Sequence, residues 1–197
     1  MQDEGSGGFV QAVSILLMQN RKPISEIEDL RDTPRRVWMA FEELLAGHGA
    51  QKKIDAALET TFSTTHAEMV SVLGIRASGV CPHHLLPVLY AVDFGYIPTE
   101  RAIGLSKIPR VVKWKCARAM LQEDITSDIA DTFSKALTAK GVAVIVHGFH
   151  TCMAIRGVQA REATMVTSAM RGVFLENDKD AKSEFMQLRR NGGMPWT

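Results

Sequence analysis

Two runs rich in β-branched and aromatic residues, "EMVSVLGIRASGV" (68–80) and "VLYAVDFGYIP" (88–98), stand on either side of Cys81-Pro82-His83-His84. Such runs read as strands, so the motif between them occupies a connection between two strands. Downstream the pattern changes period, then changes back. "PRVVKWKCARAMLQE" (109–123) reads as a helix. "TSDIADTFSKALTAKG" (126–141) reads as a second, with Ile129, Phe133 and Leu137 on one stripe and Gly141 as terminator. "VAVIVHGFHTCMAIRGV" (142–158) and "TMVTSAMRGVF" (164–174) read as strands again, and "KDAKSEFMQLRR" as a helix. Upstream, "RDTPRRVWMAFEELLAGHG" predicts a helix capped by Thr33, with Pro34 as its first residue and Gly47 at its end. "PISEIEDL" predicts a shorter helix before it. The order predicts an α+β fold, an antiparallel sheet with helices on one face. A helical region (1–55) precedes the main domain (56–197).

Composition enters where partners are concerned. A net charge of +1 on 197 residues gives no global pull toward nucleic acid or acidic membranes, so neither is expected as a partner and any anion site must be local. The run "FVQAVSILLM" is interrupted by Gln11 and Ser14 and is too short to span a bilayer. "MQDEGSGG" is acidic and polar, unlike a secretory signal. Three cysteines are an odd count and too few for a disulfide framework. A soluble cytoplasmic protein, with thiols free to bind metal, is expected.

The cysteines and histidines cluster in two places. Cys81 and His84 have a C-x-x-H spacing, which lets one turn present two ligands. Residues two apart on a strand share a face, so His150 and Cys152 are expected to project together. Cys81, His84 and Cys152 then form a Cys₂His set, the catalytic zinc pattern with one open position. His83 and His150 remain beside it for proton transfer. The competing reading is that each is simply packed, as free cysteines often are. The long gap between Cys81 and Cys152 fixes no geometry, so spacing leaves both readings open. Cys116, inside a helical stretch, is expected in the core.

Longer motifs add to this. "CPHHLLPV", "YIPTERAIGLSKIPRVV", "LQEDIT", "GVAVIVHGFHTCMAIRGV" and "TMVTSAMRGVF" resemble GTP cyclohydrolase I in order and spacing. "DTPRRVWMAFEELLAG" resembles that family's N-terminal helix. The resemblance implies the tunnelling fold and a homodecamer of two pentamers with active sites at subunit interfaces. It implies conversion of GTP and water to 7,8-dihydroneopterin triphosphate and formate, which feeds pterin and folate or 7-deazaguanine synthesis. It implies Zn²⁺ on Cys81, His84 and Cys152, and His83 and His150 as catalytic histidines. Gln122 and Glu123 match the guanine-edge pair. Ser106, Lys107, Arg110 and Arg156 match triphosphate-binding positions, with Arg36 beside them. Zinc chemistry suits attack on guanine C8, because the ion makes water acidic near neutral pH.

The match has departures. Pro82 and Met39 stand where members usually have Glu and Lys. "QAREATM" replaces the usual "QKPGSKT", and "GFH" the usual "AEH". The ligand positions are untouched; the phosphate contacts are what the departures put in question. Two alternatives remain at this level. One is a related purine nucleotide hydrolase of altered nucleotide preference. The other is a zinc-stabilised scaffold without turnover, against which the presence of His83, His150 and Glu123 argues.

Overall fold

The computed structural model describes residues 4–18, 23, 26–175 and 179–192. The chain forms two compact units, Met1–Leu44 and Leu45–Thr197. In the first, α1 (Glu4–Met18) and α2 (Thr33–Leu44) meet through Phe9. Its ring stands edge-on to Trp38 and Phe41, with centroids 5.5 and 5.7 Å apart. Helix α2 begins at Thr33 itself, and Pro34 in its first turn is buried. Of the helix expected at 23–30, a single 3-10 turn at Glu28–Leu30 is present; residues 24 and 25 lie outside the described residues.

The second unit is built on a four-stranded antiparallel sheet of order β2 (Val70–Val80), β3 (Pro87–Ile97), β5 (Gly141–His150) and β6 (Met165–Gly172). A small pair, β1 (Thr61–Ser63) with β4 (Arg101–Ile103), stands apart from it. Helices α3 (Gln51–Leu58), α4 (Lys107–Cys116) and α5 (Gln122–Leu137) cover one face. Alternation sorts the strands. Val88, Val92, Phe94 and Tyr96 of β3 and Val142, Val144 and Val146 of β5 enter the core beneath these helices. The stripe read from the sequence is there: Ile129, Phe133 and Leu137 are buried, and the Phe133 ring lies 4.5 Å from that of Phe94. The expected α+β plan holds. One helix is added to it on the opposite face, where Ala143 and Ile145 pack with Ala181 and Phe185 of α7 (Lys179–Asn191).

Four expected boundaries move. Helix α2 ends at Leu44 rather than at Gly47, which lies in a separate 3-10 turn, Ala46–Gly49. The helix expected over 109–123 stops at Cys116, and the next begins at Gln122. Ala117 leaves helical geometry at φ −72°, ψ 56°. Ala119 then makes a parallel bridge to Val80. The residues between are good helix formers, so tertiary contact overrides propensity here. Gly79 allows it: a Cβ there would sit 2.1 Å from the Cys116 carbonyl oxygen. An ion-pair knot fastens the break. Lys115 Nζ and Arg118 Nη2 lie 2.9 and 2.6 Å from the two oxygens of Asp128. Burial alone would raise the Asp128 pKa; the hydrogen bonds from the two cations outweigh it and hold the carboxyl below its usual range. Helix α5 in turn ends at Leu137, with Thr138 rather than Gly141 in the left-handed conformation (φ 47°). The strand expected over 142–158 ends at His150, where the chain coils into one short helix, α6 (Thr151–Ala154).

Candidate metal centre and active site

The β2–β3 connection carries the first ligands. The Leu85 N–H donates to the Cys81 carbonyl at 2.8 Å, and the Cys81 N–H to the Leu86 carbonyl at 2.9 Å. The turn closes with Leu85 at φ 52°, a left-handed conformation that a branched side chain adopts at a cost. Cys81 points inward and is buried, while His83 and His84 are exposed. The Cys81 Sγ lies 3.6 Å from His84 Nδ1 and 3.9 Å from His83 Nδ1.

The third donor arrives through strand pairing. Val88 of β3 is opposite His150 of β5, which brings the end of β5 beside the start of β3. Cys152 does not share a strand face with His150, as alternation would have it. It stands on α6, and the helical turn is what swings its Sγ back. Ligand atoms of Cys81, His84 and Cys152 all lie within 4.8 Å of one another. The chemistry of this set fits a dication. Burial, then the hydrogen bond and charge of Cys81, raise the Cys152 pKa, with Arg156 pulling the other way. Two thiols side by side resist ionising together, and a metal among them removes that penalty.

A cavity of about 330 Å³ opens at this cluster. Besides the three donors it is lined by His83, His150, Gln122 and Glu123. Its walls include Met120, Met153 and Met165, which sequence patterning did not single out because isolated methionines carry no periodic signal. Gln122 lines the cavity, yet its amide is committed to the protein and it is only 1% exposed. Its Nε2 donates toward the Val146 and Met165 carbonyls and Thr167 Oγ1 at 3.0 to 3.1 Å. Thr126 Oγ1 donates to the Gln122 carbonyl and sits 2.6 Å from Thr167 Oγ1, completing a ring of hydrogen bonds. The Gln122 Oε1 lies 3.0 Å from His150 Nε2. A carbonyl oxygen only accepts, so His150 Nε2 carries the hydrogen and Nδ1 is the free nitrogen. Gly148 makes room for this contact, since a Cβ there would meet Gln122 Oε1 at 2.0 Å. Burial lowers the His150 pKa against the opposing charge of Glu123, which favours the neutral ring.

The phosphate-position residues fall elsewhere. Ser106, Lys107 and Arg110 stand at the N-terminal turn of α4. The other end of that helix is the one that meets Gly79 near the ligands. None of the three lines the cavity. Arg156 follows α6, exposed, and its charge acts on Cys152. Arg36 belongs to the other unit, on α2. A larger groove, about 750 Å³, runs between α3, the β1–β4 pair and the end of α5. No cysteine or histidine lines it. No helix among the described residues is long and apolar enough to cross a membrane.

The sequence model of a family described as GTP cyclohydrolase I matches residues 10–190. The chain is 40% identical over 161 residues to GTP cyclohydrolase 1 of Campylobacter jejuni (strain RM1221), covering 82% of this chain and 84% of that one. It is 41% identical over 159 residues to GTP cyclohydrolase 1 of Deinococcus radiodurans, covering 81% and 73%. Among solved structures, the archaeosine synthase QueF-Like in the apo form aligns with a TM-score of 0.43 at 16% identity, over 55% of this chain and 96% of that one.

Proposed function

The chain belongs to the GTP cyclohydrolase I family, and from that premise we propose that it hydrolyses GTP at guanine C8 to 7,8-dihydroneopterin triphosphate and formate, using zinc held by Cys81, His84 and Cys152. One observation carries the reading: the three donors, both candidate proton-transfer histidines and Glu123 line a single cavity. Zinc bound there would supply Lewis acidity toward water at neutral pH. The protein's own groups do the rest. His150, neutral and steered by Gln122, offers Nδ1 to take up and return a proton at the purine ring and later at the ribose. His83, on the ligand turn, is the second proton carrier. Glu123, exposed in the first turn of α5, accepts from the base N–H groups. Gln122 acts through His150, because its amide is already spent on the protein.

The triphosphate falls to Ser106, Lys107, Arg110, Arg156 and Arg36. Three of these stand at the N-terminal turn of α4 and do not line the cavity, which supports a site completed by a neighbouring copy. The assembly proposed is a homodecamer of two pentamers. A cytoplasmic enzyme fits the three free cysteines, and the product opens pterin and folate or 7-deazaguanine synthesis.

The test is formate release on purified, zinc-loaded protein across GTP, dGTP, GDP and ATP, with sedimentation of the same sample. GTP should be preferred and the protein should sediment as a large oligomer. Preference for another purine nucleotide would replace the substrate assignment. Absence of formate with every nucleotide would favour a scaffold. A stable, active monomer would refute the shared site.

A further inference from the structure

Four consecutive residues line the cavity: Met120, Leu121, Gln122 and Glu123. The first two belong to the non-helical connector between α4 and α5, and the last two open α5. No side chain caps that first turn. Gln122 is tied from within, by its buried amide. The connector ahead of it is tied from outside, by a residue that the proposed chemistry does not use.

Main-chain bonds hold the connector on two sides. On one side Ala119 bridges Val80, the residue before Cys81, and the Val80 N–H donates to the Arg118 carbonyl at 3.4 Å. On the other stands the 3-10 turn Ala46–Gly49. There the Gly47 N–H donates to the Ala117 carbonyl at 2.9 Å. The Ala119 N–H donates to Nε2 of His48 at 3.1 Å. A main-chain N–H must find an acceptor, and this one takes it from a side chain 71 positions away. A ring nitrogen that accepts carries no hydrogen, so the neutral His48 ring holds its proton on Nδ1. His48 is exposed and does not line the cavity. Its hydrogen bond therefore reaches the site only through Ala119, one residue before the cavity wall begins.

We propose that His48 is a positioning residue for binding of the guanine base. Its imidazole fixes the connector so that Met120 and Leu121 meet the flat apolar face of the ring and Glu123 meets its N–H edge. The inference rests on the guanine reading above. It separates two parts of the site. The metal donors stand on the β2–β3 connection and on α6, which His48 does not touch, so its loss acts on the base and spares the ion. The scale is that of one hydrogen bond, about threefold to tenfold.

The experiment compares His48→Ala, His48→Gln and Thr99→Ala with the parent full-length chain. Thr99 is the control: its hydroxyl donates to the Thr138 carbonyl at 3.2 Å, a tie of the same kind beside the other groove. Zinc content, KM and kcat for formate release from GTP, and amide hydrogen exchange over residues 117–121 are measured on the same preparations. His48→Ala should keep zinc, exchange faster over 117–121, and raise KM about threefold to tenfold with kcat within about twofold of the parent. His48→Gln, which can offer a side-chain oxygen to the same N–H, should recover most of the loss. Thr99→Ala should match the parent. An unchanged KM in His48→Ala would overturn the proposal, as would loss of zinc, a His48→Gln protein no better than His48→Ala, or an equal rise in KM in Thr99→Ala. A zinc-loaded parent that released no formate from GTP would overturn the cyclohydrolase reading itself and this proposal with it.

Discussion

His147 and His150 stand three residues apart on β5 and face opposite sides of the sheet. His147 belongs to a closed polar cluster under α7. It is 7% exposed, accepts from Arg189 Nη2, and lies 3.8 Å from Asp93 Oδ2. Asp93 accepts from Arg189 Nε at 2.8 Å, and through its other oxygen from the Gly74 N–H at the β2 bulge, also at 2.8 Å. Every member has a protein partner. On the other face His150 lines the cavity, and among the described residues its ring has one hydrogen-bond partner, Gln122, at Nε2. Satisfaction fits the first cluster to a structural role; the unspent ring nitrogen of the second fits the proton transfer proposed for it. Residue type is the same in both, and only the face separates them.

The sharpest tests cross the two faces. Cys152→Ala should reduce zinc from about one ion per chain to near none and formate release to background, by elemental analysis and product assay; full zinc occupancy would sink the ligand assignment. His150→Ala and His83→Ala should keep zinc and lose turnover by about a hundredfold or more. Loss of zinc in His83→Ala would mean the wrong histidine of the pair was given to the metal. Asp93→Asn should leave zinc content unchanged and destabilise the fold by about 3 kcal/mol in denaturant melts, because it breaks a buried ion pair. A loss of metal there would erase the division between the faces.

The smallest effect is in pH. Burial, and then the charge of Arg189, lower the His147 pKa from 6.5, with Asp93 opposing. The unfolded chain therefore takes up its proton first as pH falls. The stability that neutral His147 contributes is complete above about 6.5 and is lost as pH drops through that value toward the lower folded one. His150 contributes in the same direction. His147→Gln should flatten part of this slope in melts on the acid side of neutrality; an unchanged slope would assign it to His150 alone.

Much of this was readable from sequence where local pattern decides. The β-branched alternation of 68–80 and 88–98 locates β2 and β3, and hence places Cys81 and His84 on their connection. The spacing Ile129, Phe133, Leu137 finds the buried stripe of α5. What local pattern could not see is set by distant contacts. Residues 117–121 read as helix, yet Val80 holds Ala119 in a bridge. Cys152 reaches the site through a single helical turn that no periodicity announces. Asp93 and His147 are polar residues inside apolar strand runs, and their partner Arg189 lies on a helix that the sequence does not tie to that face. Gln122 takes its place from burial, which composition does not report.

The pairing of Val88 with His150 has a consequence in time. Cys81 and His84 share one connection, but Cys152 reaches them only once β3 and β5 have joined. Such non-local pairing comes after slow loop closure. A metal held by all three would arrive at a nearly finished molecule. Interactions formed after the rate-limiting step leave the folding rate almost alone and slow unfolding instead. Scarcity of the ion would then shorten the working life of completed molecules rather than hinder their making.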